Sequence, residues 1–200
     1  MDAGVPDFTE ARNHMVDGQV RPNKVNDPRI IQAMRRLPRE RFVPAHLAGL
    51  AYVDEDVPLG GGRFLMEPMV IARLVQLARV RAGERALVVG AGTGYGAALL
   101  AACGAEVTAL EDDERLTAIA RRVSAEAAPG VSWVAGPLAQ GWAKAARDAE
   151  APLRSAAVVF RVKSLAGLEE RLAEEYARLW KAEAGALNDA VLTLQEKGTD

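Results

Sequence analysis

The residues of this chain best suited to hold a ligand lie in one stretch, Gly90-Ala91-Gly92-Thr93-Gly94-Tyr95-Gly96. A short apolar run, Ala86-Leu87-Val88-Val89, comes before it, and a small-residue segment closed by Gly104 comes after. A strand that ends in glycines before a helix leaves main-chain N–H groups unobstructed by Cβ atoms. The positive end of the helix dipole favours an anionic group at the same place. Glu111 stands 19 residues beyond Gly92, at the end of the next apolar run. In a strand–helix–strand unit that position brings its carboxylate beside the first turn, where it can accept from both hydroxyls of a ribose. Together the glycines and Glu111 describe a site for a nucleoside-containing cofactor. Two cofactors suit the spacing: read from Gly92 as G-x-G-x-x-A it fits NAD, and read from Gly90 as G-x-G-x-G it fits S-adenosylmethionine. A tight strand–helix turn without a ligand is the plainer reading of the glycines alone.

Other reactive side chains are sparse. Cys103 is the single cysteine and reads as a core thiol, since it has no partner for an internal disulfide. His14 and His46 read as surface or packing residues, and no metal site is expected. The formal net charge is −2, from 25 Lys and Arg against 27 Asp and Glu. That balance argues against a general nucleic-acid or anionic-membrane binder. No apolar stretch reaches the roughly 18 residues of a membrane helix, and the N-terminus lacks a secretory pattern. The expectation is a soluble protein of a reducing, cytoplasmic compartment.

The elements that must position the glycine turn follow from periodicity. Residues 8–50 read as helical and charged, with Asp27 as a cap and Pro28 at the first helical position ahead of Ile30, Ile31, Met34 and Leu37. Residues 51–68 read as a loop, and 68–80 as a helix. Residues 85–135 alternate strand, helix, strand, helix, strand, which implies a doubly wound, mostly parallel sheet of the Rossmann-like α/β class with helices on both faces. Past residue 142 one strand is expected within 155–162. Apolar residues from Leu165 to Leu194 then recur at spacings of three or four, which suits a helical tail. The expected organisation is an N-terminal helical and substrate-loop region (1–80), a cofactor-binding core (81–142) and a divergent, mostly helical tail (143–200).

Three ordered blocks carry a family resemblance. MVDGQVRPNKVNDPRIIQAMRRLPRERFVP (15–44), AYVDEDVPLGGG (51–62) and LVVGAGTGYGAALLA (87–101) resemble protein-L-isoaspartate O-methyltransferases, over about residues 8–142. The resemblance implies S-adenosylmethionine as cofactor. It also implies methylation of the abnormal carboxyl group left when Asn or Asp residues in proteins age, so that the partner is a damaged protein or peptide. It places Gly90, Gly92 and Gly94 under the methionine and ribose of the cofactor, with Tyr95 following them at the helix start. Glu111 then falls on the ribose hydroxyls and Asp112 next to the adenine. Pro137 and Leu138 fall where the family has an adenine-capping Gly-Asp-Gly turn.

Departures from the family matter for function. Met66 occupies the position of a serine whose hydroxyl helps place the reacting groups, and a thioether donates no hydrogen bond. Arg63, in the same loop, is a candidate to hold the substrate carboxylate through two parallel N–H bonds, or else is a solvated loop arginine. Val88 stands where many methyltransferases have an acid. The family's later strands are not evident after residue 142, which leaves a bare sheet edge for the tail to cover or for a homodimer contact through its helix. A second reading is therefore a catalytically silent or substrate-changed relative that binds cofactor or a partner through the tail. An NAD-dependent oxidoreductase ranks third, for want of a Tyr-x-x-x-Lys pair.

Overall fold

The computed structural model describes residues 7–138, 157–159 and 191–193. The N-terminal layer begins with α1 (Thr9–Met15), which runs on through a π turn, Val16–Val20. Helix α2 (Pro28–Arg36) starts as its sequence dictates. Asp27 Oδ1 accepts from the Arg29 N–H at 2.9 Å, and Pro28 takes a position whose N–H has no helical partner anyway. The helix stops where Leu37 turns extended ahead of Pro38, and it buries Ile30, Ala33 and Met34. Two 3-10 turns follow, Arg39–Phe42 and Ala45–Leu50.

The segment expected to be a loop contains a β hairpin. Strand β1 (Val57–Gly60) pairs antiparallel with β2 (Arg63–Leu65), with Val57 opposite Leu65 and Gly60 opposite Arg63. Gly61 and Gly62 form the connection with φ of +61° and +71°, the two positive values that a type I′ turn requires. Val57 and Leu59 point inward while Pro58 and Gly60 face solvent. Strands this short, one of them carrying a proline, offer no readable alternation, so packing rather than pattern decides them. Helix α3 (Pro68–Ala78) matches expectation, and buries Val70, Ile71, Leu74 and Val75.

The central sheet is built from β3 (Arg85–Val89), β4 (Glu106–Glu111) and β5 (Val131–Ala135), with α4 (Tyr95–Ala102) and α5 (Glu114–Ala127) as crossovers. Two further strands, β6 (Ala157–Val159) and β7 (Val191–Thr193), extend it, and the order is β5-β4-β3-β6-β7 with every pairing parallel. The expected Rossmann-like doubly wound α/β class is present, with the order reversing between β3 and β6.

Two expectations about the tail are corrected. Strand β6 lies inside the strand expected at 155–162, but β7 falls within the stretch read as helix, because a run of three residues is too short for its period to separate strand from helix. Strand β3 therefore pairs on both sides and is not a bare edge. The rest of the expected tail helix, with the homodimer contact assigned to it, lies outside the described residues.

Alternation along β3 sends Ala86 and Val88 to one face and Leu87 and Val89 to the other. The first face shares a core with Leu99 and Leu100 of α4, Leu116 and Val123 of α5, and the N-terminal helices. The second carries Leu87, Val89 and Leu110, with Leu138 packed on them. Val88 is wholly buried in this core. Among the described residues no helix is long and apolar enough to cross a membrane.

The Asp27 cap gives a stability test with a definite pH sign. Hydrogen bonding to Arg29 holds the Asp27 carboxyl below its ordinary value. A depressed folded-state pKa stabilises above the unfolded value, and the contribution fades as pH falls through the folded one. Asp27→Ala is expected to cost about 1 kcal/mol at neutral pH. In urea unfolding the difference from the parent should shrink below the usual carboxylate range.

Candidate functional site

Strand β4 ends in Glu111, whose side chain has no exposure to solvent. A buried carboxylate is costly unless its lone pairs are met, and here five donors meet them. The Gly92 N–H donates at 2.5 Å, the Asp112 and Asp113 N–H groups each at 3.1 Å, and Arg63 through Nη1 and Nη2 at 2.9 and 2.8 Å. The turn that carries Gly92 is itself pinned to β4: the Gly90 and Ala91 N–H groups both donate to the Leu110 carbonyl, at 2.9 and 3.1 Å. Asp113 then caps α5 by accepting from the Arg115 and Leu116 N–H groups.

The glycines of the turn have different reasons to be there. Gly90, Gly92 and Gly94 all take positive φ, which L residues with a side chain avoid. At Gly94, with φ +94°, an added Cβ lands 2.6 Å from Trp133 Cζ2, so the indole on β5 needs the missing side chain. At Gly92 a Cβ meets Leu59 Cδ1 at 3.7 Å, an ordinary contact. Gly92 therefore tolerates a neighbour where Gly94 does not, since the space at Gly94 is filled by the indole.

A cavity of about 350 Å³ opens at this turn, within the size range of small-molecule sites. Gly90, Ala91, Gly92, Thr93, Tyr95 and Gly96 form one wall; the hairpin and loop contribute Leu59, Arg63, Phe64, Leu65 and Met66, with Asp56 at the side. It sits at the C-terminal end of β3, beside the point where strand order reverses, the place where open α/β sheets bind ligands. Thr93 Oγ1 is buried with no hydrogen-bond partner among the described residues, a polar atom left for a ligand or water to meet. Tyr95, the first residue of α4, is wholly buried, and burial pushes its hydroxyl up to about 12 against the pull of Arg39. Asp56 accepts from the Glu67 N–H at 2.8 Å, and burial raises its carboxyl above the ordinary value.

The sequence-derived residues divide. Gly90, Gly92, Tyr95, Arg63 and Met66 meet at the cavity. Glu111 lies directly behind it. Asp112 is near the surface, 3.5 Å from Arg63 Nη1. Pro137 is exposed, and Leu138 packs on Leu87, Val89 and Leu110, so neither lines the cavity. In this structure the Arg63 guanidinium is engaged on Glu111. Cys103 is buried, and burial raises its thiol pKa, while His14 and His46 are exposed, as their sequence reading has it.

Two participants escaped the sequence reading. Asp56 is one of a run of acids and carries no distinguishing signal. Arg39 is fully buried, donating from Nε to the Ala51 carbonyl and from Nη2 to the Met66 carbonyl, each at 2.6 Å. Its guanidinium also lies 4.9 Å from the centre of the Tyr95 ring, which Phe42 meets edge-on at 5.3 Å. Arg39 therefore sets the position of Met66 and the floor of the cavity. In sequence it looks like its neighbours Arg35, Arg36 and Arg41.

Two substitutions separate these roles. Arg39→Met leaves the Ala51 and Met66 carbonyls without a donor and should cost about 2–4 kcal/mol in chemical denaturation. Gly94→Ala should cost about 2–4 kcal/mol through positive φ and the clash with Trp133, whereas Gly130→Ala, which meets nothing within 4 Å, should change stability little.

Comparison with known proteins agrees with this geometry. The family model for protein-L-isoaspartate(D-aspartate) O-methyltransferase matches residues 10–155. A protein-L-isoaspartate O-methyltransferase of Methylorubrum extorquens is 42 % identical over 142 residues, covering 71 % of this chain and 62 % of its own length. One from Rhodopseudomonas palustris is 38 % identical, over 68 % of this chain and 56 % of its own length. The chain thus spans about 60 % of the length of these curated relatives. Among solved structures, a Plasmodium falciparum protein described as a protein-L-isoaspartate O-methyltransferase, crystallised with S-adenosyl-L-homocysteine, superposes with a TM-score of 0.61 at 18 % identity. It covers 74 % of this chain and 72 % of its own, a likeness of fold. On the family match over most of its length, this chain belongs to the protein-L-isoaspartate(D-aspartate) O-methyltransferase family.

Proposed function

We propose that the chain binds S-adenosylmethionine and methylates the carboxyl group of isoaspartyl residues in damaged proteins or peptides, in the cytoplasm. The observation that carries this reading is Glu111, a carboxylate at the end of β4 bonded to the Gly92 N–H of the glycine turn, beside a cavity at the strand-order reversal. That is the arrangement a ribose diol needs. The names of the relatives, and the S-adenosyl-L-homocysteine held by the fold neighbour, support the choice of cofactor over NAD. Cys103, buried and single, suits a reducing compartment.

The cofactor, when bound, supplies a methyl group on a sulfonium that a carboxylate oxygen can take without a strong base. What the chain's own residues do is bind, orient and exclude water. Gly90 and Gly92 would lie under the methionine and ribose, Glu111 would accept from the ribose hydroxyls, and Asp112 would stand on the adenine side. Leu59, Leu65, Met66 and Ile71 make the cavity wall apolar, which removes water from between an anion and a cation. Positioning of this kind supplies most of the rate in a reaction between two groups already reactive. Met66, where a serine hydroxyl is usual, favours a second reading in which the cofactor site is kept and the acceptor has changed.

Titration calorimetry with S-adenosylmethionine, using NAD as control, tests the cofactor. Saturable binding of the former alone is expected, and Glu111→Ala should weaken it by about 1–3 kcal/mol. Methyl-ester formation on an isoaspartyl peptide tests the acceptor. Cofactor binding without ester formation would transfer the assignment to the substrate-changed reading.

A further inference from the structure

Arg63 stands on β2 and closes on Glu111 with a two-pronged grip, assisted by a third N–H bond to the Gly90 carbonyl at 3.3 Å. Oε1 of Glu111 accepts from the Asp112 and Asp113 N–H groups and Oε2 from the Gly92 N–H, while Arg63 places one further N–H on each oxygen. Those two places, one per oxygen, are the ones two ribose hydroxyls would take, so Arg63 and the diol exclude each other. The backbone donors belong to the glycine turn and to the entry of α5, and cannot leave without unwinding them. The Arg63 side chain is 22 % exposed and can leave by rotating its own χ angles. The hairpin main chain need not follow, because Arg115 holds it through the carbonyls of Leu59, at 2.5 Å, and Gly60, at 3.3 Å.

A second observation says where the freed guanidinium goes. Among the described residues that line the cavity, Arg63 carries the one basic side chain. A carboxylate acceptor entering an apolar cavity loses water and needs a cation there to offset the loss. The guanidinium fork matches a carboxylate in two parallel bonds, and Glu111 displays that match in the structure. Met66, at the serine position, offers no donor to the acceptor.

We propose that Arg63 is an exchange clamp: it pairs with Glu111 before the cofactor arrives, is displaced by the ribose hydroxyls, and then binds the acceptor carboxylate. The acceptor half rests on the isoaspartyl reading above. Arg63 is in consequence a barrier to cofactor binding and at the same time a binding residue for the acceptor, so that cofactor raises acceptor affinity and the order of binding is cofactor first.

The two halves predict effects of opposite sign in one variant. Calorimetry with S-adenosylhomocysteine on the whole chain should show Arg63→Gln binding about three- to tenfold more tightly than the parent, since a partly buried ion pair no longer competes. With an isoaspartyl peptide, the same variant should raise KM about tenfold while kcat changes less. Arg63→Lys, which keeps the charge and loses the fork, should fall between on both measures. A merely structural role for Arg63 predicts weaker cofactor binding in the variant, and equal or weaker binding overturns the proposal; so does an unchanged peptide KM. A parent chain that binds S-adenosylhomocysteine but esterifies no isoaspartyl peptide overturns the functional reading and the acceptor half with it. In that case the calorimetric comparison alone still upholds or overturns the Glu111 half.

Discussion

The site is organised by one buried negative charge. Glu111 has no access to water and sits at the end of a central strand, where an unmatched carboxylate is one of the costliest features a fold can carry. Its neighbours are arranged to meet it. The glycine turn after β3 donates from Gly92, the first turn of α5 begins where Asp112 and Asp113 donate, and the hairpin delivers Arg63. Three separate pieces of chain, the β4–α5 junction, the β3–α4 turn and the β1–β2 hairpin, are thereby tied to one pair of oxygens. The same two oxygens are what a ribose needs. Structure and ligand binding therefore compete for one acceptor, and Arg63 is the donor most easily exchanged.

A second tie joins the N-terminal layer to the sheet. Arg39 reaches the carbonyls of Ala51 and Met66 and lies against Tyr95, the first residue of the helix that follows the glycine turn. A guanidinium is suited to this because it bridges backbone carbonyls in its plane and stacks on a ring through its face. Burial lowers the pKa of Arg39, although arginine keeps its charge under such a shift. The residues of the N-terminal region thus share one core with α4, α5 and the sheet, and the loop around Met66 takes its place from a residue more than twenty positions earlier in the chain.

Much of this was legible in the residues. The Asp27–Pro28 start of α2, the apolar run into the glycines, Gly104 after α4 and the acid at the end of β4 each follow from short-range chemistry, which acts the same way in any context. The hairpin at 57–65 was not legible, because two strands of four and three residues around Gly61 and Gly62 have too little pattern to announce themselves. Strand β7 is illegible for a related reason, since Val191, Leu192 and Thr193 are too few to display a period of their own. Family position assigns Pro137 and Leu138 to the ligand, and only the tertiary structure shows Leu138 packed on Leu87, Val89 and Leu110.

By itself, then, the sequence determined the strand–turn–helix unit, its glycines, the carboxylate that faces it and the family to which the three ordered blocks point. These are set by backbone conformation and local spacing, which neighbours in the chain control. Only the tertiary structure decided that Arg63 rests on Glu111, that Arg39 is buried beneath Tyr95, and that Gly94 is reserved for Trp133 while Gly92 lines the cavity. Those contacts join residues 39 to 56 positions apart. Which arginine becomes buried, or which glycine meets an indole, depends on burial and approach that no local pattern encodes.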